Sequence, residues 1–304
     1  MESYLAHSLG PYHRRVVSSS DASNSAIQGP HMGMTAAMVM RLTGEEAAHT
    51  DAGRTYVGML DTEAGREMAD HVAGQWPYAR VHFVLRKWQL WAWMNAMAVN
   101  TPALGRQVVV LGAGWSATGI DWAHHCIDAR IWEVDLHHQA DKKALVHRLF
   151  PVTAARMRMI EVDLSNLGML LSGLRTHGWH ADRPTLWIAE GLAYYLPLAH
   201  FAALLRAALT FHTANRAVVE FGLPHHLLRE DVRARTAAYH GYLAAQIGLS
   251  ALQTVDPSEF CLRSGAIPLA WADPSSMELA RNGRALTFRS SEDSGMRMAV
   301  LGPA

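Results

Sequence analysis

Four consecutive aliphatic residues, Val108 to Leu111, run without polar interruption into Gly112-Ala113-Gly114. An apolar run without alternation marks a strand covered on both faces, and the glycines predict a sharp turn that a ligand can approach closely. The same apolar pattern recurs downstream. Strands are predicted over Ala129 to Asp135, Arg158 to Val162, Thr185 to Ala189 and Ala217 to Phe221. Helices are predicted between them, over Trp115 to Cys126, Lys142 to Phe150, Leu167 to His177 and His200 to Thr213. Strand and helix in alternation predict an α/β fold, Rossmann-like and doubly wound, with a mostly parallel sheet. Arg284 to Phe288 and Met296 to Leu301 are expected as the last, partly antiparallel strands.

Ahead of the first strand, Met34 to Leu42 and Thr55 to Gly74 are helical in pattern. His82 to Val99 places Phe83, Leu90, Trp91 and Met94 at roughly helical spacing, which predicts a helix packed on the sheet. The polar stretch Ser18 to Ser25 is expected as a loop or arm. Residues 1–80 are thus an N-terminal helical arm or cap, and 223–256 a helical insertion. No internal repeat interrupts what is expected to be a single domain over 1–304.

Composition narrows the partners. Twenty-seven basic and 27 acidic residues balance, with no long run of either sign, so neither nucleic acid nor an anionic membrane is expected; a small-molecule substrate is. The oligomeric state stays open. Two cysteines, Cys126 and Cys261, are too few for a disulfide framework and fit a reducing cytoplasm. Met1 to Val17 has no apolar core of the leader type, and no apolar run of about 18 residues follows. Histidines are numerous, but adjacent pairs such as His124-His125, His137-His138 and His225-His226 point in different directions, so no metal is expected.

The chemistry gathers at strand ends. Asp135 follows Gly112 by 23 positions, where an acid at the tip of the neighbouring strand accepts hydrogen bonds from ribose hydroxyls. Glu133 shares its face, but Asp135 lies nearer the carboxyl edge. The third strand exits through Asp163-Leu164, and the fourth runs into Glu190-Gly191. Ala117 stands where a third glycine would complete G-x-G-x-x-G, which argues against a dinucleotide.

Taken in order, Leu111-Gly112-Ala113-Gly114, Glu133-Val134-Asp135-Leu136 with Lys142 or Lys143 beyond, and Ala189-Glu190-Gly191 leading to Tyr195-Leu196 resemble the leucine carboxyl methyltransferase family. That family belongs to the class I S-adenosylmethionine-dependent methyltransferases, and Thr35-Ala36-Ala37 is similar to its bacterial branch. The resemblance implies S-adenosylmethionine as cofactor. It implies that Gly112 and Gly114 approach the amino-acid portion, that Asp135 holds the ribose, and that Asp163 and Leu164 flank the adenine. Glu190 would face the methionine ammonium, and Arg86 would pair with the carboxylate, a task that suits its planar fork. One departure stands out: where the family continues Gly-Ala-Gly-x-Asp-Thr with an arginine soon after, this chain has Trp115-Ser116-Ala117-Thr118.

The implied reaction is O-methylation of a carboxylate or hydroxyl on a small molecule, in a specialised-metabolism setting. A carboxylate acceptor is already ionised and needs no base; a phenol or amine needs one, for which Tyr194, Tyr195 or a histidine are candidates. Trp115, Tyr194 and Tyr195 are also candidates for a cation–π contact with the sulfonium. The altered turn keeps two alternatives open. One is cyclisation of the cofactor to azetidine-2-carboxylate and methylthioadenosine, and the other a cofactor-binding protein without turnover.

Overall fold

The computed structural model describes residues 32–304, so the Ser18 to Ser25 stretch and the rest of 1–31 lie outside the described residues. Seven strands form one sheet: β1 (Gln107–Leu111), β2 (Arg130–Asp135), β3 (Met157–Glu161), β4 (Leu186–Ala189), β5 (Arg216–Gly222), β6 (Ala266–Ala272) and β7 (Met296–Pro303). Their order is β3-β2-β1-β4-β5-β7-β6. The first five pair in parallel, and β7 lies antiparallel between β5 and β6. The winding reverses between β1 and β4, so their carboxyl ends open onto the crevice where doubly wound folds bind ligands.

Among the described residues, five α-helices precede the sheet: α1 (Met34–Thr43), α2 (Asp51–Gly58), α3 (Arg66–Gln75), α4 (Ala79–Asn100) and α5 (Pro102–Arg106). The crossovers carry α6 (Thr118–His125), α7 (Gln139–Leu149), α8 (Pro151–Ala154), α9 (Leu167–Thr176) and α10 (Leu198–Thr210). The remainder are α11 (Glu230–Gln246), α12 (Pro257–Ser264) and α13 (Pro274–Asn282). Alternate side chains of β1 feed two cores, because successive residues of a strand point to opposite faces. Val108 and Val110 join the core with Tyr56, Trp115 and Trp122, whereas Val109 and Leu111 join the core with Trp132, Trp187 and α10. Among the described residues, no helix is long and apolar enough to cross a membrane.

Three expectations are corrected. The helix after the glycine turn begins at Thr118, because Trp115 is packed into the core and its carbonyl accepts the Tyr56 hydroxyl at 3.3 Å. Thr55 to Gly74 is broken between α2 and α3, where Asp61 turns back to accept the Glu63 amide at 2.9 Å. Arg284 to Phe288 is not a strand: the Glu278 carboxylate takes the Thr287 and Phe288 amides at 2.8 and 3.0 Å, amides a ladder would need. The strand in its place is β6, whose Pro268 suits only an edge, and an edge is where it lies, with a register shift beside Pro268.

Acid should destabilise this fold from near neutrality. Burial, before any other cause, pushes His82 down to about 3 and His49 and His240 down to about 4, against 6.5 for the free side chain. Below pH 6.5 the unfolded chain takes up protons that these folded side chains refuse, so stability is lost as pH falls, until the folded values are reached. The expected slope is about 1.4 kcal/mol per pH unit for each histidine. Urea unfolding at pH 7 and pH 5 measures it, and equal stabilities at the two would contradict the burial of these rings.

Candidate functional site

The cavity over the carboxyl ends of β1, β2 and β4 holds about 590 Å³. Its floor is the glycine turn, with Gly112 at φ 64° and Gly114 at φ 45°, a region that disfavours side chains. A Cβ on Gly112 would come within 3.0 Å of Leu192, while one on Gly114 would meet nothing within 4 Å, so Gly114 borders open space. The turn is anchored from below, where Lys142 donates to the Ser116 carbonyl at 2.8 Å and sits 2.7 Å from Glu133.

Asp135 closes the tip of β2. Its Oδ2 accepts the Gly114 amide at 2.8 Å and its Oδ1 the Leu136 amide at 2.7 Å, and each oxygen keeps a further lone pair. Glu133, the other acid on that face, is fully buried against Lys142 and takes no part in the cavity. Asp163 lines the cavity with its Oδ1 accepting the Ser165 amide at 2.8 Å, next to buried Leu164.

Two cations enter from α4. Arg86 places Nε 2.8 Å from Glu190 Oε1 and Nη1 3.2 Å from Glu220 Oε2, and Lys87 places Nζ 2.8 Å from Glu190 Oε2. Neighbouring positions on a helix diverge, which is why the two reach different partners. Burial would push the Glu190 carboxyl up, but Lys87 and Arg86 overcome it and hold Glu190 below the usual carboxylate range. Glu220 also accepts the Gly191 amide at 2.7 Å and the Tyr194 hydroxyl at 3.2 Å, so it sets both the second turn and the aromatic wall. Burial, with Glu220 adding to it, pushes the Tyr194 phenol well above its usual range and keeps it a donor. Tyr195 lies on the cavity rim, 41% exposed.

Arg86, Gly112, Gly114, Asp135, Asp163, Leu164, Tyr194 and Tyr195 all line this one cavity. Glu190 does not: its carboxylate is spent on Arg86 and Lys87, and Gly191 and Glu220 line the wall instead. Glu220, Lys87 and His240 went unassigned in the sequence. Glu220 carried a weaker signal than Glu190, an acid inside an apolar strand near its carboxyl end, whereas Lys87 and His240 gave none. The departure at Ser116 also acquires a reason: its hydroxyl receives Lys87 at 2.9 Å and lies 2.8 Å from the Thr118 hydroxyl. Arg86 and Lys87 are already matched by Glu190 and Glu220, so an aspartate here would be an unmatched buried charge.

Gly222 allows the Tyr194 ring its place, because a Cβ there would overlap that ring. Gly222→Ala is expected to displace Tyr194 and cost about 1–3 kcal/mol, the usual range for overpacking. Unfolding in urea together with intrinsic fluorescence reads both effects, and a variant as stable as the parent would contradict this packing.

The parallel sheet, the glycine turn and the acids at successive strand tips define the class I methyltransferase fold. More particularly, the chain belongs to the leucine carboxyl methyltransferase family, whose model matches residues 39–209. A provisionally named S-adenosyl-L-methionine-dependent methyltransferase of Mycobacterium ulcerans is 31% identical over 185 residues, 58% of this chain and 50% of that protein. One of Streptomyces coelicolor is 34% identical over 104 residues, 33% of this chain and 32% of that protein. The chain thus spans half or less of the length of these curated relatives. Among solved structures, a DUF574 family protein from Streptomyces avermitilis superposes with a TM-score of 0.60 at 17% identity, covering 86% of this chain and 99% of that one. The likeness shows the fold.

The family's cofactor is S-adenosylmethionine, and the residues present fit it. Open space beside Gly114 admits a ligand against the backbone, and Asp135 keeps acceptor capacity on the cavity wall. The Nη2 of Arg86 has no hydrogen-bond partner among the described residues, which leaves it a donor for a carboxylate.

Proposed function

We propose that the chain is an S-adenosylmethionine-dependent methyltransferase acting on an oxygen of a small-molecule carboxylate or hydroxyl. One observation carries this reading: the glycine turn, Asp135, Asp163, Leu164 and Arg86 meet on a single cavity in a chain of this family. Gly112 and Gly114 lie under the cofactor's amino-acid portion, Asp135 holds the ribose hydroxyls, and Asp163 and Leu164 flank the adenine. Arg86 takes the carboxylate through Nη2.

Glu190 acts one step back, as the counter-ion that fixes Arg86 and Lys87. The four charges Arg86, Lys87, Glu190 and Glu220 sum to zero, which suits a zwitterionic amino-acid tail better than a lone anion. Bound there, the cofactor supplies an electrophilic methyl on a sulfonium. The protein supplies orientation and a desolvated wall, and Tyr194 and Tyr195 shape that wall beside the acceptor. The two unpaired cysteines, Cys126 and Cys261, fit a cytoplasmic setting.

Titration calorimetry with S-adenosylmethionine and S-adenosylhomocysteine tests the assignment. Both should bind with 1:1 stoichiometry. No heat from either at millimolar concentration would remove the cofactor reading altogether.

A further inference from the structure

Methyl transfer to a hydroxyl releases a proton that has to leave the site. Beyond Tyr194 the cavity wall continues into a small annex between α4, α11 and the start of β7, lined by Trp76, His82, Tyr239 and His240. His240 lines both the cavity and the annex and is 7% exposed. Its Nδ1 lies 3.3 Å from Nε2 of His225, which is only half-buried, while its Nε2 has no partner among the described residues. A ring nitrogen of this buried histidine, unpartnered on the wall, is therefore joined through its other nitrogen to a second, half-buried ring.

We propose that the acceptor is an uncharged hydroxyl, and that His240 takes its proton and passes one on through His225. This rests on the methyltransferase reading above. The balance is as follows. The hydroxyl O–H bond breaks as the oxygen gains the methyl, and the electron pair of the broken C–S bond stays on sulfur. The proton goes to His240 Nε2, the His240 Nδ1 proton goes to His225 Nε2, and the His225 Nδ1 proton goes to water. This role assigns His240 the Nδ1–H tautomer.

The surroundings agree with an uncharged acceptor. The rings of Tyr194 and Tyr239 lie against His240, one edge-on and one tilted, with ring centroids 5.7 Å away in both cases. Arg86, the cation of this wall, is already matched by two carboxylates. An acceptor carboxylate would lose its hydration for no new counter-ion. The titratable groups facing His240 are His225, Tyr194, Tyr239 and His82; Arg235 and Asp293 also line the annex, and Asp293 is paired with Arg229 at 2.9 Å. Burial first, and then His225, holds His240 down to about 4, so at neutral pH its lone pair is open.

The test uses 4-nitrophenol as a coloured hydroxyl probe, on the full chain saturated with sinefungin, a cofactor analogue bearing an amine in place of the methyl sulfonium. At a pH where the free probe is mostly phenol, the bound probe should show phenolate absorbance. Its amplitude should rise from about pH 5 to about pH 6.5, because the net proton leaves through His225 to water while His240, now carrying Nε2–H, donates to the phenolate. His240→Asn and His225→Phe should each bind sinefungin within about twofold of the parent and lose this band, and 4-nitrobenzoate should bind about tenfold more weakly than 4-nitrophenol. The half-buried His225 keeps the test open if the buried variant fails to fold. Equal bands in parent and variants, no binding of the phenol, or tighter binding of the benzoate would each overturn the relay while leaving the cofactor assignment standing. Failure of sinefungin itself to bind would instead strike at the methyltransferase reading.

Discussion

Lys142→Met should lower the stability of the fold by about 3–5 kcal/mol, the cost of leaving a buried carboxylate without its partner. Lys142 and Glu133 are both 0% exposed, 2.7 Å apart, and burial pushes the Glu133 carboxyl up against the pull of the lysine. The loss is compounded at the site, since the same ammonium holds the Ser116 carbonyl and lies over the Tyr56 ring. The urea midpoint measures it. A double variant, Glu133→Leu with Lys142→Met, should recover part of the loss, because a matched apolar pair removes the orphaned charge. A single variant within about 1 kcal/mol of the parent would contradict the pairing.

Asp135→Ala should weaken S-adenosylmethionine binding by about 1–3 kcal/mol through loss of charge-assisted hydrogen bonds. Part of that falls on the turn itself, because Asp135 also accepts the Gly114 and Leu136 amides. Calorimetry on the variant separates the two contributions when compared with its unfolding in urea. Unchanged affinity would remove the ribose role from Asp135, and a variant that fails to fold would assign it to the turn alone.

Most of the sheet was legible because each strand from β1 to β5 is a local apolar run bounded by its own turn. Gly112, Gly114 and Asp135 were legible for the same reason: the turn and the acid at the next strand tip are separated by a fixed crossover. What the chain order could not show is which side chains meet across elements. Arg86 and Lys87 stand next to each other on α4, and only the fold reveals that Glu190 is shared between them while Glu220 holds Arg86, Gly191 and Tyr194 together. Thus Glu190, which the family resemblance implied would face the methionine ammonium, pairs with Arg86 and Lys87 in the folded chain. His240 lies on a helix with no apolar face of its own to draw the eye, and its meaning comes from His225, fifteen positions earlier. β6 was hidden by Pro268, a residue that disqualifies a central strand and is harmless on an edge.

The turn Gly112 to Thr118 carries the central question. Its first half, Gly112-Ala113-Gly114, resembles the family, and its second half has Ser116 where the family is expected to carry an acid, bonded to Lys87. That exchange keeps the Arg86–Lys87–Glu190–Glu220 cluster neutral and is expected to leave methyl transfer intact. The direct measurement is mass spectrometry of the nucleosides formed from S-adenosylmethionine by the purified chain, alone and with a pool of small hydroxylated arenes and carboxylic acids. S-adenosylhomocysteine that accumulates only with the pool, alongside a product heavier by one methylene, is the predicted result. Methylthioadenosine released from S-adenosylmethionine alone, in step with azetidine-2-carboxylate, would contradict it and would identify the cofactor's own amine as the nucleophile.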